Sequence, residues 1–330
     1  MHTFTILFMF FVGLVVIIKG GDMFVDASVW FAKKTGIPSI FIGATLVSLA
    51  TTLPEFFVSN IAVIQGHAEV AIGNVIGSAI CNIGLVLSIT CIISPIDIRR
   101  RFFSIKGFIM CFSIVVLYIL SYNNIIGKLE GIILVGILII YIIINILEFK
   151  TITEVSKEDN RIKGTLPSSI TKFIFGAILT IFGARLLVNS GVQIAYMLNI
   201  PEGIIGLTLI ALGTSLPELV TCIVSVIKRQ QDISVGNIIG ANIINICMVL
   251  GSSSLVSESG LIFSLKDINL LGIKLTDISQ TLLLDIPVLL ILSTLVVIFG
   301  SLHRRINRKH GILLLAIYSF YMIAIYKITF

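Results

Sequence analysis

Roughly ten apolar runs, each about as long as a helix must be to cross a bilayer, fill most of this 330-residue chain. Hydrophobic residues make up 57% of it and charged residues 12%, with a mean hydropathy of +1.10. A water-soluble chain of this length has no interior large enough to hide that much apolar surface, so its solvent is lipid. The expected spans are 4–32, 39–65, 70–94, 103–120 and 129–147, then 173–198, 203–227, 233–255, 281–302 and 311–326. The first and sixth are long enough to tilt strongly. Residues 257–280 fit no span and are expected to form a long loop or an interfacial helix. No separate soluble domain is expected. The opening run has no basic residue before Lys19, which argues for a retained span rather than a signal peptide.

Charge supports this map. The loops that follow the odd-numbered spans carry 17 of the Lys and Arg residues, among them Arg99, Arg100, Arg101 and Lys106, whereas the opposite side carries four. Basic loops face the cytoplasm, so a ten-span chain in a cell membrane is expected to have both termini outside and its 150–172 linker in the cytoplasm. The net charge of +6 then needs no nucleic acid to explain it. The five cysteines show no CxxC or paired spacing, so neither a structural metal nor a disulfide framework is expected. No HExxH pattern and no phosphate-binding loop occur, which argues against a zinc protease and against ATP as driving force. The chain is expected to be no enzyme, to hold no cofactor and to need no obligate protein partner.

A shift of 163 residues exposes an internal repeat. IPSIFIGATLVSLATTLPE (37–55) then lies on IPEGIIGLTLIALGTSLPE (200–218), and GNVIGSAICNIGLVL (73–87) on GNIIGANIINICMVL (236–250). Residues 37–88 share 22 identities with the second copy without a gap. Shared hydrophobicity matches Leu with Ile by chance; it does not match Gly43, Thr51, Pro54, Glu55, Gly73, Asn74, Gly77 and Asn82 with their counterparts. Five expected spans separate the copies, and an odd number inverts the second. The expected fold is therefore all-α, with two inverted five-helix repeats: 1–149 with the first motif pair, a short linker 150–172, and 173–330 with the second. This is the plan of secondary transporters, whose binding sites lie near the midplane where the repeats meet.

Glu55 and Glu218 are the sharpest chemical signals. Both lie in mid-span, where a charged side chain costs at least about 2.5 kcal/mol on insertion scales. A lone buried Glu has a plain reading as a neutral, hydrogen-bonded acid; two at equivalent positions, in TTLPE and TSLPE settings, point to a cation. Thr51 is four residues from Glu55, on the same helix face, and Thr52 is three away; Thr214, Ser215 and Glu218 repeat the pattern. Pro54 and Pro217 cannot donate to the fourth preceding carbonyls, Ala50 and Gly213. Carboxylate, hydroxyl and carbonyl oxygens together suit hard cations such as Ca²⁺ and Na⁺. The second motif adds Ser78 and Asn82, against Ala241 and Asn245 in the other copy. Asn82 and Asn245 read as ligands, whereas Gly73, Gly77, Gly236 and Gly240 read as close helix packing. Lys19 and Asp22, three apart, are placed to pair within the first span.

At these two motifs the chain resembles the cation/calcium antiporter superfamily, most closely its compact prokaryotic sodium/calcium exchangers. The resemblance implies a transporter that exchanges Na⁺ for Ca²⁺ by alternating access. It implies that Glu55 and Glu218 hold Ca²⁺ centrally with Thr51 and Thr214. Flanking Na⁺ sites would use Ser48, Thr52, Ser78, Ala211 and Ser215, partly through backbone carbonyls, with Asn82 as an amide ligand. Two departures stand out: family members often have Asp at the place of Asn245 and Ser at that of Ala241. Two formal negative charges remain at the centre, which balance one Ca²⁺. A calcium/proton antiporter using the same glutamates is the competing reading, and a cation channel a more distant one.

Overall fold

The computed structural model describes residues 2–98, 100–153, 165–198, 211–270 and 273–329. Among these, nine helices are long and apolar enough to cross a membrane. In chain order the helices are α1 (His2–Thr35), α2 (Ser39–Ile64), α3 (Ala68–Ile93), α4 (Arg100–Leu120), α5 (Lys128–Thr153), α6 (Leu166–Met197), α7 (Leu216–Ile227), α8 (Gln231–Val256), α9 (Thr281–His303) and α10 (Arg308–Thr329). They coincide with the expected spans. The shorter α7 lies within the seventh, whose expected start at 203 falls outside the described residues.

The chain divides into two compact units, each drawing on both halves of the sequence: residues 1–51 with 147–238, and residues 52–146 with 239–330. The first unit is built on the pairing of α1 with α6. Lipid offers no hydrophobic drive for helices to associate, so close packing supplies it, and small residues allow it. A Cβ on Gly20 would lie 2.5 Å from the Thr180 nitrogen, and one on Gly183 2.5 Å from the Ile17 nitrogen. Gly13 meets the Leu187 backbone, and Gly176 meets that of Phe24, in the same way. The 163-residue shift exchanges these contacts: Gly13 falls on Gly176, Gly20 on Gly183, Ile17 on Thr180 and Phe24 on Leu187. The repeat thus extends into the long spans, where only spaced glycines betray it in sequence. Phe24, Ala32, Ile42, Val47 and Ile233 form a core beside this pair. Asp22 turns to α7 rather than to Lys19: Lys228 lies 2.6 Å from both Asp22 and Asp26, and its Nζ also donates to the Asp22 carbonyl.

In the second unit α9 packs on α4, where the Phe103 ring leaves no room for a side chain at Gly300. Likewise α10 crosses α3, with Gly84 against Tyr318 and Gly311 against the Ser88 carbonyl. Short antiparallel strands tie the ends of this unit: β1 (Ile96–Asp97) to β6 (Arg305–Ile306), and β2 (Ile125–Ile126) to β3 (Leu261–Ile262). Residues 257–280, expected as a loop or an interfacial helix, instead contain β3 and an antiparallel hairpin of β4 (Lys266–Leu270) with β5 (Ile273–Ile278). Ile268, Leu270, Ile273, Leu275 and Ile278 supply the β-branched and apolar residues that favour strands. The helices that follow β2 and β6 start with side-chain caps, a single bond in the first and a reciprocal pair in the second. The Gly127 nitrogen donates to Glu130 before α5; before α10, the Asn307 nitrogen donates to His310 Nδ1 while Asn307 Oδ1 accepts from the His310 nitrogen. Lys106, counted above as a loop cation, is instead fully buried on α4, where its ammonium bonds Asn145 of α5 and lies 5.8 Å from the Tyr141 ring centre.

Candidate cation site

Glu55 and Glu218 are both completely buried. The elements that carry them differ locally. Pro54 lies inside the unbroken helix Ser48–Ile64, whereas Pro217 falls in the first turn of α7, after a break at Ser215 that follows the short turn Ala211–Thr214. Proline is tolerated at a helix start because its missing N–H has no partner there to lose. The LPE motif therefore lies within a helix in one copy and at a helix start in the other.

In the first unit, Glu218 faces the Thr51 hydroxyl. That hydroxyl has a single proton, and it reaches the Asn237 Oδ1 at 3.2 Å and the Ser48 carbonyl at 3.3 Å. Both Glu218 oxygens are left without a hydrogen bond within the protein, as is the buried hydroxyl of Ser215. Ser48 is buried and returns its own hydroxyl to the Thr45 carbonyl at 3.2 Å. Thr214 is half-buried one turn before Glu218. Ala211 opens the short turn, and its side chain lies outside the described residues, as does the segment 199–210 of the second copy. Asn237 also donates to Cys222 Sγ at 3.8 Å, bracing α8 against α7. Gly236 beside it meets the backbone of Ile40 and Ala44, which bears out close packing at that glycine, whereas a Cβ on Gly73 or Gly77 would meet nothing within 4 Å, so close packing does not hold at those two.

In the second unit, Asn74 performs the equivalent bracing. It donates to the Ser59 hydroxyl at 2.9 Å and to the Glu55 carbonyl at 3.4 Å; Ser59 is the repeat counterpart of Cys222. Asn74 and Asn237 are thus braces for the helices that carry the glutamates. Thr52, Ser78, Asn82 and Asn245 are buried in the same unit as Glu55. The hydroxyl of Thr52, the Oδ1 of Asn82 and both amide atoms of Asn245 have no hydrogen-bond partner in the protein. An unsatisfied buried polar atom costs about 1–3 kcal/mol, so a set of them calls for a ligand.

Asn82 and Asn245 share a feature that sequence reading missed. Each is the first residue of a π-helical stretch, Asn82–Leu87 and Asn245–Leu250. Such widened turns are rare and concentrate at functional sites. A third, Gly43–Val47, precedes Ser48, and its glycine meets the backbone of Ile233 and Asn237. The asparagine and glycine positions were visible in the repeat; the change of helical pitch carries no residue signature. Asn242, which bonds Asn82 at 3.1 Å, was also missed, because the first copy has Ala79 in its place.

Comparison with known proteins gives a consistent picture. A family model described as sodium/calcium exchanger protein matches residues 5–147 and 168–327. The chain is 29% identical to the sodium/calcium exchanger MaX1 of Methanosarcina acetivorans, over 96% of this chain and 97% of that protein. It is 31% identical to the membrane protein MJ0091 of Methanocaldococcus jannaschii, over 94% of each. Among solved structures, that of the sodium–calcium exchanger NCX_Mj soaked with Na⁺ and Sr²⁺ superposes with a TM-score of 0.80 at 29% identity, covering 98% of this chain and 99% of that one.

Proposed function

Because the chain belongs to the sodium/calcium exchanger family, we propose that it exchanges Na⁺ for Ca²⁺ across a cell membrane through Glu55 and Glu218. The observation that carries this reading is the pair of completely buried, repeat-equivalent glutamates among buried hydroxyl and amide oxygens. Oxygen-only donors of this kind fit hard cations. Ca²⁺ balances the two carboxylates, assisted by Thr51 and Thr214. Na⁺ ions neutralise the same charges from flanking positions that use Ser48, Thr52, Ser78, Ala211 and Ser215, with Asn82 and Asn245 as amide oxygens.

Coupling follows from electrostatics. An empty carrier would keep two carboxylate charges buried away from water, which is costly unless they take up protons. The penalty disfavours switching without cargo, so one ion leaves only as the other arrives. The inverted repeats suit a carrier that opens alternately to each side. Within it, α1 and α6 move as one body, because their backbones touch at four glycines and leave no compliant side-chain layer between them. Both termini lie outside and the linker around 150–172 inside, on the asymmetry of Lys and Arg.

The test is uptake of radiolabelled Ca²⁺ into proteoliposomes loaded with Na⁺, compared with choline and with an imposed pH gradient. Uptake that needs internal Na⁺, and that Glu55→Gln or Glu218→Gln abolishes, is the expected result. Uptake driven only by the pH gradient would move the protein to calcium/proton exchange. Uptake indifferent to both gradients and to the glutamates would refute exchange at this site.

A further inference from the structure

The second repeat copy places an amide, Asn242, where the first has the methyl group of Ala79, and the ligand set above does not use it. Asn242 is completely buried in the second unit. Its Nδ2 donates to the Ala79 carbonyl at 3.1 Å, and its Oδ1 accepts from Asn82 Nδ2 at 3.1 Å. This relay has a fixed direction. A carbonyl only accepts, so the nitrogen of Asn242 must face Ala79; its oxygen then faces Asn82, and only the nitrogen of Asn82 can answer it. The Asn82 oxygen is left buried and without a protein partner. Asn245, the repeat counterpart of Asn82, has no such restraint. Neither of its amide atoms has a protein partner, and the counterpart of Asn242 for it is Ala79, whose methyl group holds no amide.

We propose that Asn242 is a positioning residue for cation binding: it locks the Asn82 amide so that the oxygen, and not the NH₂ group, is free for the ion. Only one of the two repeat-related amides is committed in advance, while Asn245 can turn over to present either end. A wrongly turned amide would point two N–H donors at a cation, so locking raises affinity without adding a ligand. The inference rests on the reading of Asn82 as a ligand. It goes beyond that reading by assigning a role to a residue outside the two motifs' shared positions.

The experiment is a double-mutant cycle on the full chain in proteoliposomes, reading the Ca²⁺ concentration that half-saturates uptake and the maximal rate. Loss of one orienting hydrogen bond is expected to weaken Ca²⁺ in Asn242→Ala by about 3- to 10-fold, with a maximal rate that changes little. In an Asn82→Ala background the same substitution is expected to change half-saturation less than about 2-fold, because no amide remains to orient. An equal effect in both backgrounds means that Asn242 only packs helices, and overturns the proposal; so does no effect in the parent chain. If Asn82→Ala alone leaves half-saturation unchanged, the ligand reading of Asn82 fails first and the inference falls with it. Should Asn242→Ala not fold, Asn242→Asp serves, since a protonated Asp reproduces both bonds; a weakening of about 10-fold or more in that variant also overturns the proposal.

Discussion

Replacing Glu218 by Gln separates a ligand from a structural acid, because the two roles predict opposite effects on the ligand-free protein. Glu218 is completely buried and neither oxygen has a hydrogen-bond partner in the protein. A buried group in that state weakens the fold by about 1–3 kcal/mol, and more if ionised. Glu218→Gln keeps the shape and removes the charge, so the ligand-free variant is expected to be at least as stable as the parent. Calcium changes the comparison. At a Ca²⁺ concentration 100 times the dissociation constant, the parent gains about 2.7 kcal/mol from binding. A variant whose affinity falls 100-fold gains only about 0.4 kcal/mol at the same concentration. Thermal unfolding in detergent can be followed by a thiol-reactive dye, since Cys81, Cys91, Cys222 and Cys247 are buried until the protein opens. A variant that is clearly less stable without Ca²⁺, or that keeps a Ca²⁺ gain of about 2 kcal/mol, would refute the reasoning, because either result makes Glu218 a structural group.

Two further substitutions test contacts between helices, one of packing and one of hydrogen bonding. Gly20→Ala puts a Cβ 2.5 Å from the Thr180 nitrogen, about 1 Å inside contact, and α1 cannot yield without parting from α6; a loss of about 1–3 kcal/mol in unfolding free energy is expected. Asn145→Leu removes one acceptor of the buried Lys106 ammonium inside the second unit and is expected to cost about 1.5–3 kcal/mol in the same unfolding assay, and unchanged stability would refute a role for that bond.

Much of this protein was legible in the sequence. Long apolar runs can be only helices in lipid, so the spans were fixed by composition, and most ends agree within a few residues. The repeat named the glutamates, the hydroxyls around them and the paired asparagines, since a polar residue at membrane depth has few reasons to occur twice at one offset. Fine register resisted. Lys106 looked like one more cytoplasmic cation because linear charge counting cannot see that α5 brings Asn145 to meet it. The segment after α8 reads as a loop or an interfacial helix because a hairpin needs two strands in register, and its polar residues hide the alternation. Asp22 found Lys228, 206 residues away, rather than Lys19 one turn earlier.

The sequence alone determined the donor set: two acids, hydroxyls and amides placed by a duplicated motif offer oxygen atoms of the kind that suits a hard cation. Orientation and neighbourhood were decided only by the tertiary structure. Each compact unit takes helices from both halves of the chain, the two LPE motifs adopt different helix geometries, and the Asn82 amide is turned by a residue 160 positions away. The physical reason is that residue type sets which atoms can bind an ion, whereas the direction of a side-chain dipole depends on hydrogen bonds that close only when distant helices pack.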